Sequence, residues 1–189
     1  MIILRCTQKL LKRLRQPAKP LEPPLAGNPL GEWYADIDFV DRKPFVLLTS
    51  VATGICLILP GDAKNLKLLH EFAAAQLAVI FGYYDIYTEA AMQEMQAWLA
   101  GDLRFAKTAD RSVLASMTQL KDRIWFSFAE QQRTANEEAI LLCDGFYQHP
   151  SLGIPARNGA KWHQPIDLLR AKLMPSAQIF VFPGTEALN

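Results

Sequence analysis

Residues 33–59 read WYADIDFVDRKPFVLLTSVATGICLIL, and their hydropathy pattern predicts three consecutive strands. From Trp33 to Asp41 the odd positions are mostly apolar and two aspartates lie between them, which is the period-two pattern of a strand with one buried face. Phe45 to Val51 and Ile55 to Leu59 follow as nearly continuous apolar runs after short turns. Three such runs with short links predict an antiparallel meander.

The residues before the meander predict a strand, a helix and a connector. β-branched Ile2 and Ile3 suit a short first strand that ends at Cys6. Thr7 can cap a helix over Gln8 to Arg15. Five prolines between residues 17 and 29 then exclude regular structure and predict an extended surface connector.

Helical periodicity dominates after the meander. Each predicted helix follows a capping residue or a first-turn proline, and these are Asp62, Thr88, Asp110, Asn136 and Pro165. In the helix after Thr88 the apolar spacing places Met92, Met95, Trp98 and Leu99 inward. Gln178 to Phe182 predicts a last edge strand.

The order of these elements predicts an α+β fold rather than alternating βαβ units. It has an N-terminal strand and helix, a three-stranded antiparallel meander and a mainly helical C-terminal half. We expect a single domain over residues 1–189, with a core over about residues 1–130 and a helical, loop-rich extension over about residues 131–189.

Charge is unevenly distributed along a chain of formal net charge +1. The first 20 residues hold six of the 20 basic residues and no acid, so the rest of the chain holds 14 basic and 19 acidic residues. A basic end on an acidic body can bind polyanions, although solvated charge is the commoner reason for such a helix face. The cations of the predicted first helix are Lys9, Lys12, Arg13 and Arg15.

Cysteine usage and apolar run lengths indicate the compartment. An odd number of widely spaced cysteines, Cys6, Cys56 and Cys143, predicts buried free thiols rather than a disulfide framework. No apolar run approaches the roughly 20 residues that a membrane-spanning helix needs. We therefore expect a cytoplasmic protein with no membrane contact. No cofactor motif is found, and we expect no cofactor.

One acidic cluster is compatible with metal-dependent chemistry. Asp36 and Asp38 project from the same strand face, and Asp41-Arg-Lys43 follows them. Clustered carboxylates with a lysine are what two-metal phosphodiester cleavage requires. The simpler interpretation places Asp41 and Lys43 in a turn, where polar residues are expected in any case.

Three segments carry a family resemblance: Met1-Ile-Ile-Leu-Arg-Cys-Thr-Gln-Lys-Leu-Leu11, Gly31-Glu-Trp-Tyr-Ala-Asp36 and Asp110-Arg-Ser-Val-Leu-Ala-Ser-Met117. Over roughly residues 1–130 the chain resembles a family of short bacterial proteins classed as a domain of unknown function. The pattern of that family is a strand followed by T-x-K-L-L, then W-Y-A-N and N-R-S-V-L-G-S-M-N. This chain departs from it at Asp36, Asp110, Ala115 and Thr118.

The resemblance implies a set of candidate site residues. The polar positions that match the pattern are Thr7, Lys9, Tyr34, Arg111, Ser112 and Ser116. They come from separate segments, so they either converge on a site or act as caps and buried hydrogen-bond partners. Because the family has no established activity, the resemblance supports the fold more than a function.

Three hypotheses about function remain open, and the sequence favours a non-enzymatic module. In the first, the basic first helix, together with Arg111, contacts an anionic partner, either nucleic acid or an acidic protein surface. In the second, the protein is a metal-dependent phosphodiester hydrolase that uses Asp36, Asp38 and Asp41. In the third, it is a protein-interaction partner in a toxin–antitoxin or defence pair.

Overall fold

The computed structural model describes residues 1–145 and 164–174, which form five strands and six α-helices. The strands are β1 (Ile2–Cys6), β2 (Trp33–Val40), β3 (Lys43–Ser50), β4 (Cys56–Pro60) and β5 (Leu103–Lys107). The helices are α1 (Gln8–Arg13), α2 (Leu69–Tyr83), α3 (Glu89–Leu99), α4 (Arg111–Ala129), α5 (Ala135–Cys143) and α6 (Pro165–Leu173). A 3₁₀ turn, Asn65–Leu68, leads into α2. The predicted strand Gln178–Phe182 lies outside the described residues.

The strands form one mixed sheet in the order β4-β3-β2-β1-β5. The β2-β3-β4 part is antiparallel, which confirms the predicted meander and the α+β class. Asp41 and Arg42 join β2 to β3 with φ values of 47° and 66°, the positive values that a tight hairpin turn requires. In contrast, β1 pairs in parallel with both β2 and β5.

Helices cover both faces of the sheet. The larger core lies on one face, where α1, α2 and α3 pack over β1 and the meander around the fully buried Trp33 and Trp98. On the other face, α4 packs its Val113, Met117 and Ile124 against β2, β3 and β4. Helix α5 lies along β4, and α6 packs on α5. No helix within residues 1–145 and 164–174 has the length and apolar character needed to cross a membrane.

Most predicted caps are confirmed. Thr7, Thr88 and Asp110 each accept a backbone N–H of the helix that follows. At α5, the N-cap is Thr134, two residues before the predicted start, and it forms a capping box with Glu137. The carboxylate of Asp62 accepts N–H groups before the 3₁₀ turn, so the regular helix starts later than predicted.

Two features of the sheet and helices differ from the sequence prediction. Strand β5 was not predicted, because its residues Leu103 to Lys107 are few and its pairing partner lies at the other end of the chain. Helix α3 turns Met95 and Trp98 towards the core as predicted, but the other two residues predicted to face inward are exposed. Met92 and Leu99 are 59 % and 58 % exposed, whereas Glu94 is fully buried beside Trp98.

Glu94 is buried because its carboxylate accepts hydrogen bonds from three separate segments. Its partners are the side chain of Asn28, the Leu30 N–H and the indole N–H groups of Trp33 and Trp98, at 2.9 to 3.4 Å. These contacts fix the end of the proline-rich connector and the start of β2 on α3. Burial raises the pKa of Glu94 above its usual range, and the donated hydrogen bonds offset only part of this.

The raised pKa of Glu94 predicts a specific pH dependence of stability. A raised folded-state pKa adds stability that is complete below the unfolded pKa and is lost as pH rises through the folded value. We expect the unfolding free energy of the protein, relative to the Glu94→Gln variant, to fall as pH rises above about 4.3, the pKa of an unperturbed glutamate. Urea denaturation at several pH values measures this difference. The exposed Glu89→Gln variant is the control. A difference that stays constant or grows with pH would contradict the assignment.

Candidate functional site

A charged network lies where β1 ends and α1 begins. The Thr7 hydroxyl accepts the Leu10 N–H as the cap of α1 and donates to Oδ1 of Asp36 at 2.6 Å. Strand β2 extends beyond the end of β1, since Cys6 pairs with Ala35, and this register places Asp36 beside Thr7. Two of the predicted site residues therefore meet directly.

Lys121 of α4 joins both aspartates of β2. Its Nζ lies 2.6 Å from Oδ2 of Asp36 and 3.3 Å from Oδ2 of Asp38. Burial lowers the pKa of Lys121, but the two carboxylates outweigh this effect and leave the pKa raised. Burial likewise tends to raise the pKa of Asp38, yet the hydrogen bond and charge of Lys121, together with Lys9, leave it lowered. The ion pairs therefore favour the charged forms of Lys121 and Asp38.

Lys9 belongs to the same network. Its Nζ lies 3.3 Å from Oδ1 of Asp38 and 5.1 Å from the ring centre of Phe39. Arg13, one turn further along α1, has its guanidinium 5.3 Å from the same ring. Lys9 is therefore held between a carboxylate and an aromatic ring, and it contributes to fixing α1 on β2.

The family residues around α4 form a second set of local contacts. The Tyr34 hydroxyl accepts the N–H groups of Ala109 and Asp110, which fixes the start of α4 on β2. Asp110 accepts both the N–H and the hydroxyl of Ser112 at 2.7 Å. The Ser116 hydroxyl donates to the Ser112 carbonyl. These contacts match the alternative in which family positions serve as caps and hydrogen-bond partners.

Arg111 is not joined to these contacts by any hydrogen bond or ion pair within the described part of the chain. Its side chain is exposed on the first turn of α4. The four residues Thr7, Lys9, Asp36 and Arg111 are therefore not brought into one contact network. Thr7, Lys9 and Asp36 do belong to one contact network, which Asp38 and Lys121 complete.

The structure gives the metal hypothesis no support. Asp36 and Asp38 are ion-paired with Lys121, and Asp41 lies in the hairpin turn. Among residues 1–145 and 164–174, no group of three or more His, Cys, Asp or Glu side chains is arranged to hold a metal ion. Sequence reasoning did not anticipate that Lys121 of α4 pairs with both aspartates.

The three cysteines are free and buried, as predicted. Burial raises the pKa of Cys56 to about 12 and raises the pKa of Cys6 and Cys143 further. A thiol with such a pKa stays protonated at neutral pH, so none of the three has the thiolate character of a nucleophile.

A basic cleft of about 720 Å³ lies where the end of α1, the 3₁₀ turn before α2 and the start of β5 meet. Its floor is apolar and consists of Leu14, Leu66, Leu103 and Phe105. Its cationic and titratable side chains come from two distant segments, and they are Arg13, Arg15, Lys64, Lys67 and His70. Of the predicted basic residues, Arg13 and Arg15 line this cleft, whereas Lys12 is exposed outside it.

No acidic side chain of the described residues lines the basic cleft. Two acids nearby in the sequence have other partners: Asp62 accepts the N–H groups of Lys64 and Asn65, and Asp102 pairs with Arg104. Glu71 lies 3.8 Å from Nε2 of His70. Within the described residues, Arg15, Lys64 and Lys67 have no ion pair.

Gly101 sets the position of His70 at the cleft. Gly101 has φ of 67°, a conformation that favours glycine, and a Cβ there would lie 3.3 Å from the His70 ring. The close approach of this backbone and the imidazole forms one side of the cleft. Sequence reasoning did not identify Lys64, Lys67, His70 or Lys121, since each is joined to its site only by tertiary packing.

The fold and these sites define an α+β protein with a mixed five-stranded sheet, a buried charged network and a basic cleft. The chain belongs to the family described as Domain of unknown function (DUF6933), whose model matches residues 3–167. This confirms the resemblance and extends it past residue 130. No curated protein and no solved structure matches the chain.

The charged network makes a prediction about stability. Replacing Lys121 by Met leaves Asp36 buried without its cation, and we expect the unfolding free energy to fall by about 2 to 3 kcal/mol. The half-exposed Lys9 is the matched control, and Lys9→Met should cost less than about 1 kcal/mol. Urea denaturation of the two variants measures both values. Equal losses would show that the network does not depend on the burial of Asp36.

Proposed function

We propose that the protein is a non-enzymatic binding module that holds an anionic partner in the basic cleft. The observation that carries the proposal is the convergence of Arg13, Arg15, Lys64 and Lys67 on one concave surface without a lining acid. Cations that are close together and unpaired repel each other, so an anion bound among them gains from all of them at once. The proposal retains the basic first helix as a functional element and adds the segment that contains the 3₁₀ turn before α2.

The difference between ion-paired and unpaired cations supports the proposal. Lys9 and Lys121 are ion-paired with aspartates and stabilise the fold. Arg15, Lys64 and Lys67 have no such partner among the described residues. Side chains whose removal leaves the core contacts intact are the ones that a binding function can use.

The partner class is part of the proposal. Nucleic acid and an acidic protein surface are the macromolecules that fit a cationic surface, and each would bind in a salt-dependent way. We further propose a cytoplasmic location, which the three buried free thiols support.

Arg15 occupies a left-handed position at the edge of the basic cleft. Helix α1 ends with the Arg15 N–H on the Lys12 carbonyl and the Gln16 N–H on the Leu11 carbonyl, the paired bonds of a Schellman ending. Arg15 therefore has a φ of 57°, where glycine is the usual residue. A left-handed non-glycine residue costs about 1 to 2 kcal/mol. Because glycine removes this cost, Arg15→Gly separates the effect of the side chain on binding from its effect on folding.

The first prediction concerns salt and charge. Inorganic tripolyphosphate titrated into the protein by calorimetry should bind at low salt and weaken steeply as salt is raised. The Lys64→Gln/Lys67→Gln variant should bind about tenfold more weakly, which corresponds to about 0.7 kcal/mol for each lost cation. The control is Lys43→Gln/Lys172→Gln, which removes the same charge from exposed positions outside the cleft. No binding at low salt, or equal weakening in both variants, would refute the proposal.

The second prediction separates binding from folding. Arg15→Gly should raise the unfolding free energy by about 0.5 to 1 kcal/mol, because glycine accepts the left-handed conformation, and should weaken tripolyphosphate binding. Gln132 also has a positive φ, 52°, but lies outside the cleft. Gln132→Gly should therefore stabilise the protein without changing binding. Unchanged binding in Arg15→Gly would remove this residue from the site.

A further inference from the structure

The basic cleft adjoins a second groove at strand β5. Gln16, Leu103 and Phe105 line both spaces, and we call the two spaces together the trough. The second groove has a volume of about 630 Å³, and its far side is the proline-rich connector, including Pro17, Pro20 and Pro24. Phe105 is partly exposed at the junction.

The two ends of the trough differ in charge. The cleft end carries the unpaired cations described above. At the groove end the charged side chains among the described lining residues are Glu22 and Arg104. Each has an ion-pair partner, Glu22 the guanidinium of Arg5, which also pairs with Glu32, and Arg104 the carboxylate of Asp102. The side chains of the groove end therefore add no unpaired cation, whereas the cleft end is strongly positive.

This polarity selects among anionic ligands. A nucleic-acid strand repeats its phosphates along its whole length and would meet no unpaired cationic side chain among the described residues of the groove. A ligand with its charge at one end and a flat, uncharged body at the other fits both halves. Each phosphate group carries about one to two negative charges at neutral pH, so a short chain of phosphates matches the clustered Arg13, Arg15, Lys64 and Lys67.

We propose that the trough binds a nucleoside polyphosphate, with its phosphates in the basic cleft and its base on Phe105, directed towards the proline-lined groove. The cleft alone, at about 720 Å³, lies within the range of about 300 to 1,000 Å³ that small-molecule sites occupy. The part of the Phe105 ring that the core leaves exposed is a stacking surface for any base, so the class of ligand is proposed and not a particular base. This inference rests on the proposed anion-binding function and names its ligand.

The test compares ATP and GTP with inorganic tripolyphosphate and with adenosine, by calorimetry on the full chain at low salt. We expect both nucleotides to bind at least about tenfold more tightly than tripolyphosphate, and adenosine to bind most weakly. In Phe105→Leu the advantage of the nucleotides should disappear while tripolyphosphate binding is kept. Retained tripolyphosphate binding also shows that this variant is folded.

The remaining variants separate failure of this inference from failure of the proposed function. Lys64→Gln/Lys67→Gln should weaken nucleotides and tripolyphosphate alike, whereas Lys43→Gln/Lys172→Gln should weaken neither. Equal affinity of the wild type for tripolyphosphate and for nucleotides would overturn the nucleotide assignment and leave anion binding intact. Tight binding of oligonucleotides without binding of ATP or GTP would have the same consequence. Binding of no anion at all would overturn both.

Discussion

The parallel pairing of β1 with both of its neighbours is the constraint on which the rest of the structure depends. Because β2 and β5 both run parallel to β1, neither can be joined to it by a tight turn. The connection from β1 to β2 contains α1, the connection from β4 to β5 contains α2 and α3, and all three helices pack on the same face of the sheet. The end of α1 is thereby brought against the turn before α2 and the start of β5, where their cations form the basic cleft.

Charged side chains fall into two groups that the fold treats differently. Asp36, Lys121 and Glu94 are buried or nearly so and are satisfied by partners from distant segments, which ties the strands, the connector and the helices together. Arg15 and Lys64 lie at the surface of a concave space without an ion-pair partner among the described residues. Of the residues that carry the family resemblance, Thr7 and Lys9 contact the aspartates of β2, and Tyr34, Ser112 and Ser116 hold the start of α4, so these positions mark the fold more clearly than a binding site.

The features that could be predicted from the sequence are those decided by residues close together in the chain. Three strand-like runs with short links, beginning with the period-two alternation over Trp33 to Asp41, were enough to predict the meander. Thr7, Thr88 and Asp110 were recognised as caps because a short polar side chain before an apolar periodic run has few other roles. Contacts between distant segments decided the rest. Strand β5 exists because Ile2 pairs with Leu103, and α3 turns Glu94 inward because N–H donors of Asn28, Leu30 and Trp33 meet it there. Of the cleft, only the α1 cations were predictable from the sequence.

The measurement that tests this account most directly is a titration of the ¹⁵N-labelled protein with inorganic tripolyphosphate, followed by amide chemical shifts. If the parallel pairing of β1 assembles a binding cleft, the shifts should concentrate in three separate stretches, residues 13–16, 63–70 and 101–105, and leave the exposed start of α4 at Arg111 unchanged. Shifts spread evenly over exposed lysines and arginines, or confined to α1 alone, would contradict the account, because the cations would then act only as a solvated surface.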